Sequence, residues 1–115
     1  MHRDVRLFID DILDAVAKIQ DYTIGMDYDA FINDPKTQDA VVRNLEIIGE
    51  AAGRLPDNMR TAASEIEWRK IVAFRNILAH EYFGVSLPLV WDIVQNKLDP
   101  LESSCQKLLK NIENK

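Results

Sequence analysis

Apolar residues recur at steps of three and four along most of this chain, and this spacing constrains the fold more than any other feature. Between Asp4 and Gln20 they alternate with charged residues and so form one stripe of an amphipathic helix. The stripe consists of Val5, Phe8, Ile9, Ile12, Val16 and Ile19. Because the same spacing returns in three later stretches, the sequence predicts an all-α fold, an antiparallel bundle of four long helices with short helical turns.

Residues that start and end helices mark the bounds of these four elements. Asp34 followed by Pro35 is a helix start, since Asp caps free amides and Pro suits the first helical position. Ser86 repeats this pattern with a proline two residues later. Asp99 and Pro100 are expected to bend or restart the last helix. The long helices are predicted at 4–20, 35–55, 65–83 and 87–111.

The third long helix is expected to begin at a capping box, in which Ser64 and Glu67 satisfy opposite free amides. It is expected to end at Gly84, which can adopt a left-handed cap. The segment 21–34 is expected to hold a turn plus one or two helical turns, and 56–63 a short polar connection. The side chains predicted to be buried where helices pack are Leu45, Ile48, Phe74 and Leu78.

Length and composition indicate an ordinary folded protein. A chain of 115 residues can bury one core, so residues 1–115 are expected to form a single domain. No run approaches the roughly 18 apolar residues of a membrane span, and the charged N-terminus is unlike a signal peptide. The lone cysteine, Cys105, excludes an internal disulfide and fits a reducing compartment. We therefore expect a cytoplasmic protein with no membrane contact.

The net charge of -5 and the pI near 4.9 argue against a broad basic surface for nucleic acid. Any contact with nucleic acid must then be local. The basic residues available for a patch lie between 43 and 75, whereas the acidic surplus lies largely before residue 40. These basic residues are Arg43, Arg54, Arg60, Arg69, Lys70 and Arg75.

One stretch, RNILAHEYFG at 75–84, brings a guanidinium, an amide, an imidazole and a phenol together within eight residues. Arg75 can bind a phosphate through two hydrogen bonds, and His80 titrates close enough to neutral pH to carry a proton. Asn76 lies four residues before His80 on the same helix face and is a candidate supporting residue. The combination is a candidate site for phosphodiester cleavage.

The sequence RNILAHEYFGV, which contains Arg-x4-His followed by x-Tyr, resembles the ribonuclease motif of HEPN domains, specifically of the HepT-like toxins. The similarity begins before the motif, in WRKIVAF from residue 68. Two further stretches resemble the same family in the same order, DAVVRNLEIIGEAAGRLP at 39–56 and LVWDIVQNKLDPL at 89–101. Arg-x4-His alone is a weak match, but the three long stretches together extend over nearly the whole chain.

This resemblance implies an HEPN-like helical bundle that acts as an endoribonuclease toxin of a toxin-antitoxin system. It implies a homodimer with the catalytic residues, Arg75 and His80, at the dimer interface. It also implies a partner similar to the minimal nucleotidyltransferase MntA, the antitoxin, which adds AMP to the tyrosine of the motif, here Tyr82.

The residues themselves also favour a dimer. Cleavage of RNA without a metal needs a base, an acid and positive charge at the phosphate. Of the two histidines, His2 lies at the terminus, so each chain offers one proton carrier, His80. A two-fold dimer would supply the second. No His and Cys residues have metal-ligand spacing, so neither a metal nor another cofactor is implied.

Three questions stay open at this stage. Arg75 and His80 are five residues apart, about 140° on an ideal helix. Either the helix distorts or ends near Ala79, or the two side chains meet substrate in a cleft between subunits. Arg43 and Glu50 are either supporting residues of the site or members of an exposed face with surface ion pairs. Finally, a non-catalytic helical binding partner of a nucleotidyltransferase is the alternative function.

Overall fold

The computed structural model describes residues 4–80 and 86–113, and within these ranges it contains seven helices and no strand. The predicted all-α fold is confirmed. No helix of the described ranges is long and apolar enough to cross a membrane. The longer helices are α1 (Val5–Tyr22), α3 (Pro35–Gly53), α5 (Trp68–His80) and α7 (Leu98–Glu113), and the shorter ones are α2 (Tyr28–Ile32), α4 (Asp57–Ala62) and α6 (Leu87–Asn96).

Helix α3 is the central element of the bundle. Its main contacts are with α1 and α5, and α7 packs against α1. Leu45 and Ile48 of α3 and Leu78 of α5 are buried, as predicted. Phe74 is only partly buried, so that prediction is wrong in degree. The reason is that α5 has its main contacts with α3 alone, which leaves part of its apolar surface uncovered.

The predicted helix starts at Asp34 and Ser86 are confirmed. The Asp34 carboxylate accepts a hydrogen bond from the Thr37 amide at 3.0 Å, and Pro35 occupies the first helical position. The Ser86 hydroxyl accepts from the Leu89 amide at 3.3 Å. Each side chain satisfies an amide that has no partner inside the helix.

The predicted capping box is wrong, because α5 begins at Trp68 and leaves Ser64 outside the helix. Trp68 is 5% exposed, and its indole Nε1 donates to the Ala63 carbonyl at 3.0 Å. Burial of the indole requires a partner for this N–H. The bond ties the chain back to Ala63 and holds the residues between them in a turn. The connection at 56–63 also contains α4, which was not predicted.

The predicted helix at 87–111 is two helices, α6 and α7, which meet at Lys97. Pro100 lies in the first turn of α7, where its missing N–H costs nothing. The expected break near Asp99 is therefore present, two residues earlier than the dipeptide. The predicted helix end at Gly84 lies outside the described residues.

Candidate functional site

Arg75 lies on the side of α5 that packs against α3, directly beside Gly49. A methyl group added at Gly49 would overlap the Cβ of Arg75 and lie 2.8 Å from its Cγ. It would also lie 3.3 Å from the carbonyl oxygen of Ile71. Only glycine permits this close approach, so Gly49 positions the aliphatic part of Arg75 against α3.

Beyond this contact, the Arg75 guanidinium is held by two side chains. Its Nη2 donates to Oε2 of Glu50 at 2.5 Å, and its Nη1 donates to Oδ1 of Asn76 at 3.0 Å. The other oxygen of Glu50, Oε1, accepts from Nη2 of Arg54 at 3.1 Å. The Glu50 carboxylate thus bridges two guanidiniums, one from α5 and one from the residue that ends α3.

These ion pairs set the charge of Glu50. The hydrogen bond from Arg54, followed by the positive charge of Arg75, lowers the pKa of the Glu50 carboxyl. The side chains of Arg54, Arg75 and Glu50 are 60%, 40% and 45% exposed. Water therefore screens both pairs, and each contributes at most about 1 kcal/mol to stability. Their main effect is to orient the Arg75 guanidinium.

A groove of about 320 Å³ opens beside this cluster, lined by residues of α1, α3 and α5 together with Arg54. Phe8, Ile47 and Ala51 supply apolar surface to it. Its charged side chains are of both signs, so it can attract an anion only through specific arginines rather than through net charge. These charged residues are Asp11, Arg43, Glu46, Glu50, Arg54 and Arg75.

Of the residues predicted from the sequence, Arg75 contacts both Asn76 and Glu50. Arg43 lines the same groove but pairs with Glu46 at 3.7 Å, and its side chain is 70% exposed. For Arg43 the structure thus gives a surface ion pair, whereas Glu50 contacts Arg75 itself.

His80 is the last residue of α5, and its side chain lies beyond what the structure describes. The described part of α5 extends to His80, one residue beyond Ala79, and residues 81–85 lie outside the described ranges. The option in which the helix ends near Ala79 therefore stays a prediction. Positions 75 and 80 are about 140° apart around its axis. Tyr82 lies outside the described residues.

Two members of the cluster, Gly49 and Arg54, were not predicted to contact Arg75, although Arg54 was among the basic residues available for a patch. Gly49 interrupts a helical pattern, and such a glycine often marks a close approach. Arg54 follows Glu50 by four residues, which is ion-pair spacing on a helix. Within residues 4–80 and 86–113, no group of His, Cys, Asp and Glu side chains is arranged to hold a metal ion.

The fold and the site define a helical bundle with a charged groove, in which an arginine and a histidine five residues apart belong to one helix. The model of the family described as Ribonuclease HepT-like matches residues 12–108. The chain therefore belongs to the HepT-like ribonuclease family.

Individual relatives agree with this assignment. A candidate RNase of Methanocaldococcus jannaschii is 40% identical over 96% of this chain and 92% of its own length. A probable ribonuclease HepT of Thermococcus cleftensis is 36% identical over 96% of this chain and 100% of its own length. A candidate RNase of Caldanaerobacter subterraneus is 33% identical, covering 91% of this chain and 94% of the relative. No solved structure matches the chain.

Proposed function

We propose that this chain is a metal-independent endoribonuclease that acts in the cytoplasm as the toxin of a toxin-antitoxin system. Arg75 and His80 carry the reaction. The observation that supports this most is the position of Arg75 in a chain of the HepT-like family. Its stem packs on Gly49, its guanidinium is bound by Glu50 and Asn76, and its helix includes His80.

The chemistry follows from these residue types. A guanidinium that is oriented before substrate binds stabilises the negative charge that develops on the phosphate during cleavage. An imidazole moves protons near neutral pH. Asn76 supports Arg75 through the hydrogen bond from Nη1. In the protein without RNA, Glu50 binds the guanidinium at the groove.

The second proton carrier comes from a second copy of the chain, so the proposed enzyme is a homodimer. We place the proposed interface over Ile77, a large apolar side chain that is 46% exposed. Ile77 precedes His80 by three residues and lies about 60° from it around the helix. An interface over Ile77 would bring His80 close to its equivalent in the other copy.

Control of the enzyme is assigned to a nucleotidyltransferase antitoxin similar to MntA, which adds AMP to Tyr82. Tyr82 follows the last described residue of α5 by two positions. AMP would add negative charge and bulk beside the site, compete with RNA for Arg75 and block access to His80.

Substitution of the two catalytic candidates tests the enzyme. We expect Arg75→Ala and His80→Ala each to lower RNA cleavage in EDTA by at least about 100-fold, the usual effect of losing charge stabilisation or proton transfer. Lys70→Ala is the matched control, since Lys70 is an exposed cation of the same helix that pairs with Glu67. Circular dichroism should give the same helical content for all variants.

If both alanine variants cleave RNA like the wild type, the enzyme proposal is wrong, and the alternative of a non-catalytic partner takes its place. Light scattering tests the shared site separately. A monomer at micromolar concentration that still cleaves RNA would remove the dimer from the proposal.

Mass spectrometry tests the control step. Incubation with the cognate nucleotidyltransferase, ATP and Mg²⁺ should add AMP to the peptide that contains Tyr82 and silence cleavage. Tyr82→Phe should resist silencing, because it lacks the acceptor hydroxyl. Loss of activity with Tyr82 unmodified would mean that the antitoxin inhibits by binding alone.

A further inference from the structure

The Glu50 carboxylate sits between two arginines in a way that fits a phosphate equally well. Each of its oxygens is bound by a different guanidinium, Oε2 by Arg75 and Oε1 by Arg54. Because both oxygens belong to one carboxylate, the guanidiniums flank a single small anion. The two unesterified oxygens of an RNA phosphate accept the same charge-assisted hydrogen bonds.

We propose that Arg54 is a second phosphate-binding residue, and that a phosphate of bound RNA replaces the Glu50 carboxylate between Arg54 and Arg75. This inference rests on the proposed function, because it names the RNA backbone as the ligand of the groove. It adds a phosphate contact that neither the Arg-x4-His motif nor its helix contains.

The exposure of the cluster permits this exchange. Arg54 and Arg75 are 60% and 40% exposed and line the open groove, so a phosphate can reach both. The two ion pairs that it must replace are weak, since water screens both. Arg54 caps the C-terminal end of α3 and Arg75 lies on α5, so the packing of these two helices fixes the spacing between the two backbone positions.

We expect the two arginines to contact a backbone phosphate of the RNA and not the edge of a base. The charged side chains of the groove are three acidic and three basic residues, which gives no broad basic surface. Local binding by paired arginines is the mode that an acidic protein can use, because each pair neutralises one phosphate.

The test measures binding of a fluorescent RNA whose 2'-hydroxyls are all methylated, so that it cannot be cleaved. Dissociation constants are determined over a series of salt concentrations. We expect Arg54→Ala to weaken binding and to lower the slope of log affinity against log salt by about 0.7, the value of one phosphate contact on a single strand. Arg54→Lys keeps the charge and should keep the slope.

Two further variants complete the design. Arg6→Ala is the matched control, because Arg6 is also exposed and paired with a carboxylate, Asp4, but does not line this groove. Its slope should equal that of the wild type. Glu50→Gln removes the competing charge and should tighten binding by roughly threefold to tenfold, as expected from the loss of two exposed ion pairs.

An Arg54→Ala slope equal to that of Arg6→Ala would overturn the inference. Weaker binding by Glu50→Gln would equally overturn it, since Glu50 would then be required rather than displaced. Cleavage of unmodified RNA by the wild type separates the two proposals. If the wild type cleaves RNA and the slope of Arg54→Ala equals that of Arg6→Ala, only the Arg54 phosphate site is rejected. If Arg54→Ala lowers the slope but the wild type never cleaves RNA, only the proposed enzyme activity is rejected.

Discussion

Glu50 couples the protonation state of the site to the stability of the protein. Two arginines bind its carboxylate, and the hydrogen bond from Arg54 is the largest cause of its lowered pKa. Folding therefore favours the ionised form. The resulting stabilisation is fully present above the pKa of the unfolded chain and is lost as pH falls through the lower pKa of the folded protein.

Comparison of Glu50→Gln with the wild type tests this coupling. We expect the variant to be less stable at pH 7 by no more than about 2 kcal/mol, because each of the two exposed ion pairs contributes at most about 1 kcal/mol. The difference should shrink below about pH 4, near and below the ordinary carboxyl pKa. Urea unfolding at pH 7 and at pH 3 measures the difference in free energy of unfolding between the two proteins. The contributions of the other carboxylates cancel in this difference, because both proteins contain them. A difference that is the same at both pH values would contradict the coupling.

Among the helices, the contact between α3 and α5 determines the geometry of the site. Gly49 of α3 meets Arg75 of α5 without any space for a side chain. The helix therefore accepts a residue of low helix propensity in its interior, at a cost of about 1 kcal/mol relative to alanine. Glycine is needed here because any side chain at position 49 would overlap Arg75.

Alanine at Gly49 and at Gly53 should have opposite effects. Gly49→Ala should destabilise the protein by about 1–3 kcal/mol through overpacking and should lower RNA cleavage by moving Arg75. Gly53→Ala is the control, because its new methyl group would meet Val72 at an ordinary 3.8 Å. It should be neutral or stabilising by up to about 1 kcal/mol. Urea unfolding and the cleavage assay measure both effects, and equal stability of the two variants would contradict the role of Gly49.

The elements also indicate what the sequence could predict. Local signals such as Asp34 before Pro35 located helix starts correctly, because capping depends on neighbouring residues. The box at Ser64 failed because the indole of the buried Trp68 donates to the Ala63 carbonyl, five residues earlier, and the Ser-x-x-Glu pattern does not include this bond. The break near Pro100 was correct in kind and displaced by two residues.

In the candidate site too, contacts between neighbouring residues could be predicted from the sequence, whereas contacts between helices could not. Arg75 and Asn76 were predicted as neighbours in one motif. The bond from Arg75 to Glu50 joins residues 25 apart in the chain, so the sequence left Glu50 open between a supporting residue and a surface one. The close approach at Gly49 and the shared carboxylate that links Arg54 to Arg75 depend on how α3 packs against α5, and spacing alone does not give that.

In the whole molecule, α5 presents two different sides. One side carries Arg75 to the groove that α1 and α3 complete. The other side exposes Ile77, which lies near the position of His80 around the helix. This division agrees with the proposed dimer, in which one copy cannot place both catalytic residues on one face.

The chemical identity of the new RNA ends, determined in EDTA, tests the central claim most directly. An enzyme that uses Arg75 and His80 moves a proton from the neighbouring 2'-hydroxyl and needs no metal. We therefore expect the wild type to produce 2',3'-cyclic phosphate and 5'-hydroxyl ends, and the Arg75→Ala and His80→Ala variants to produce neither. Products with 3'-hydroxyl and 5'-phosphate ends, or the loss of all cleavage when EDTA is added, would contradict the account.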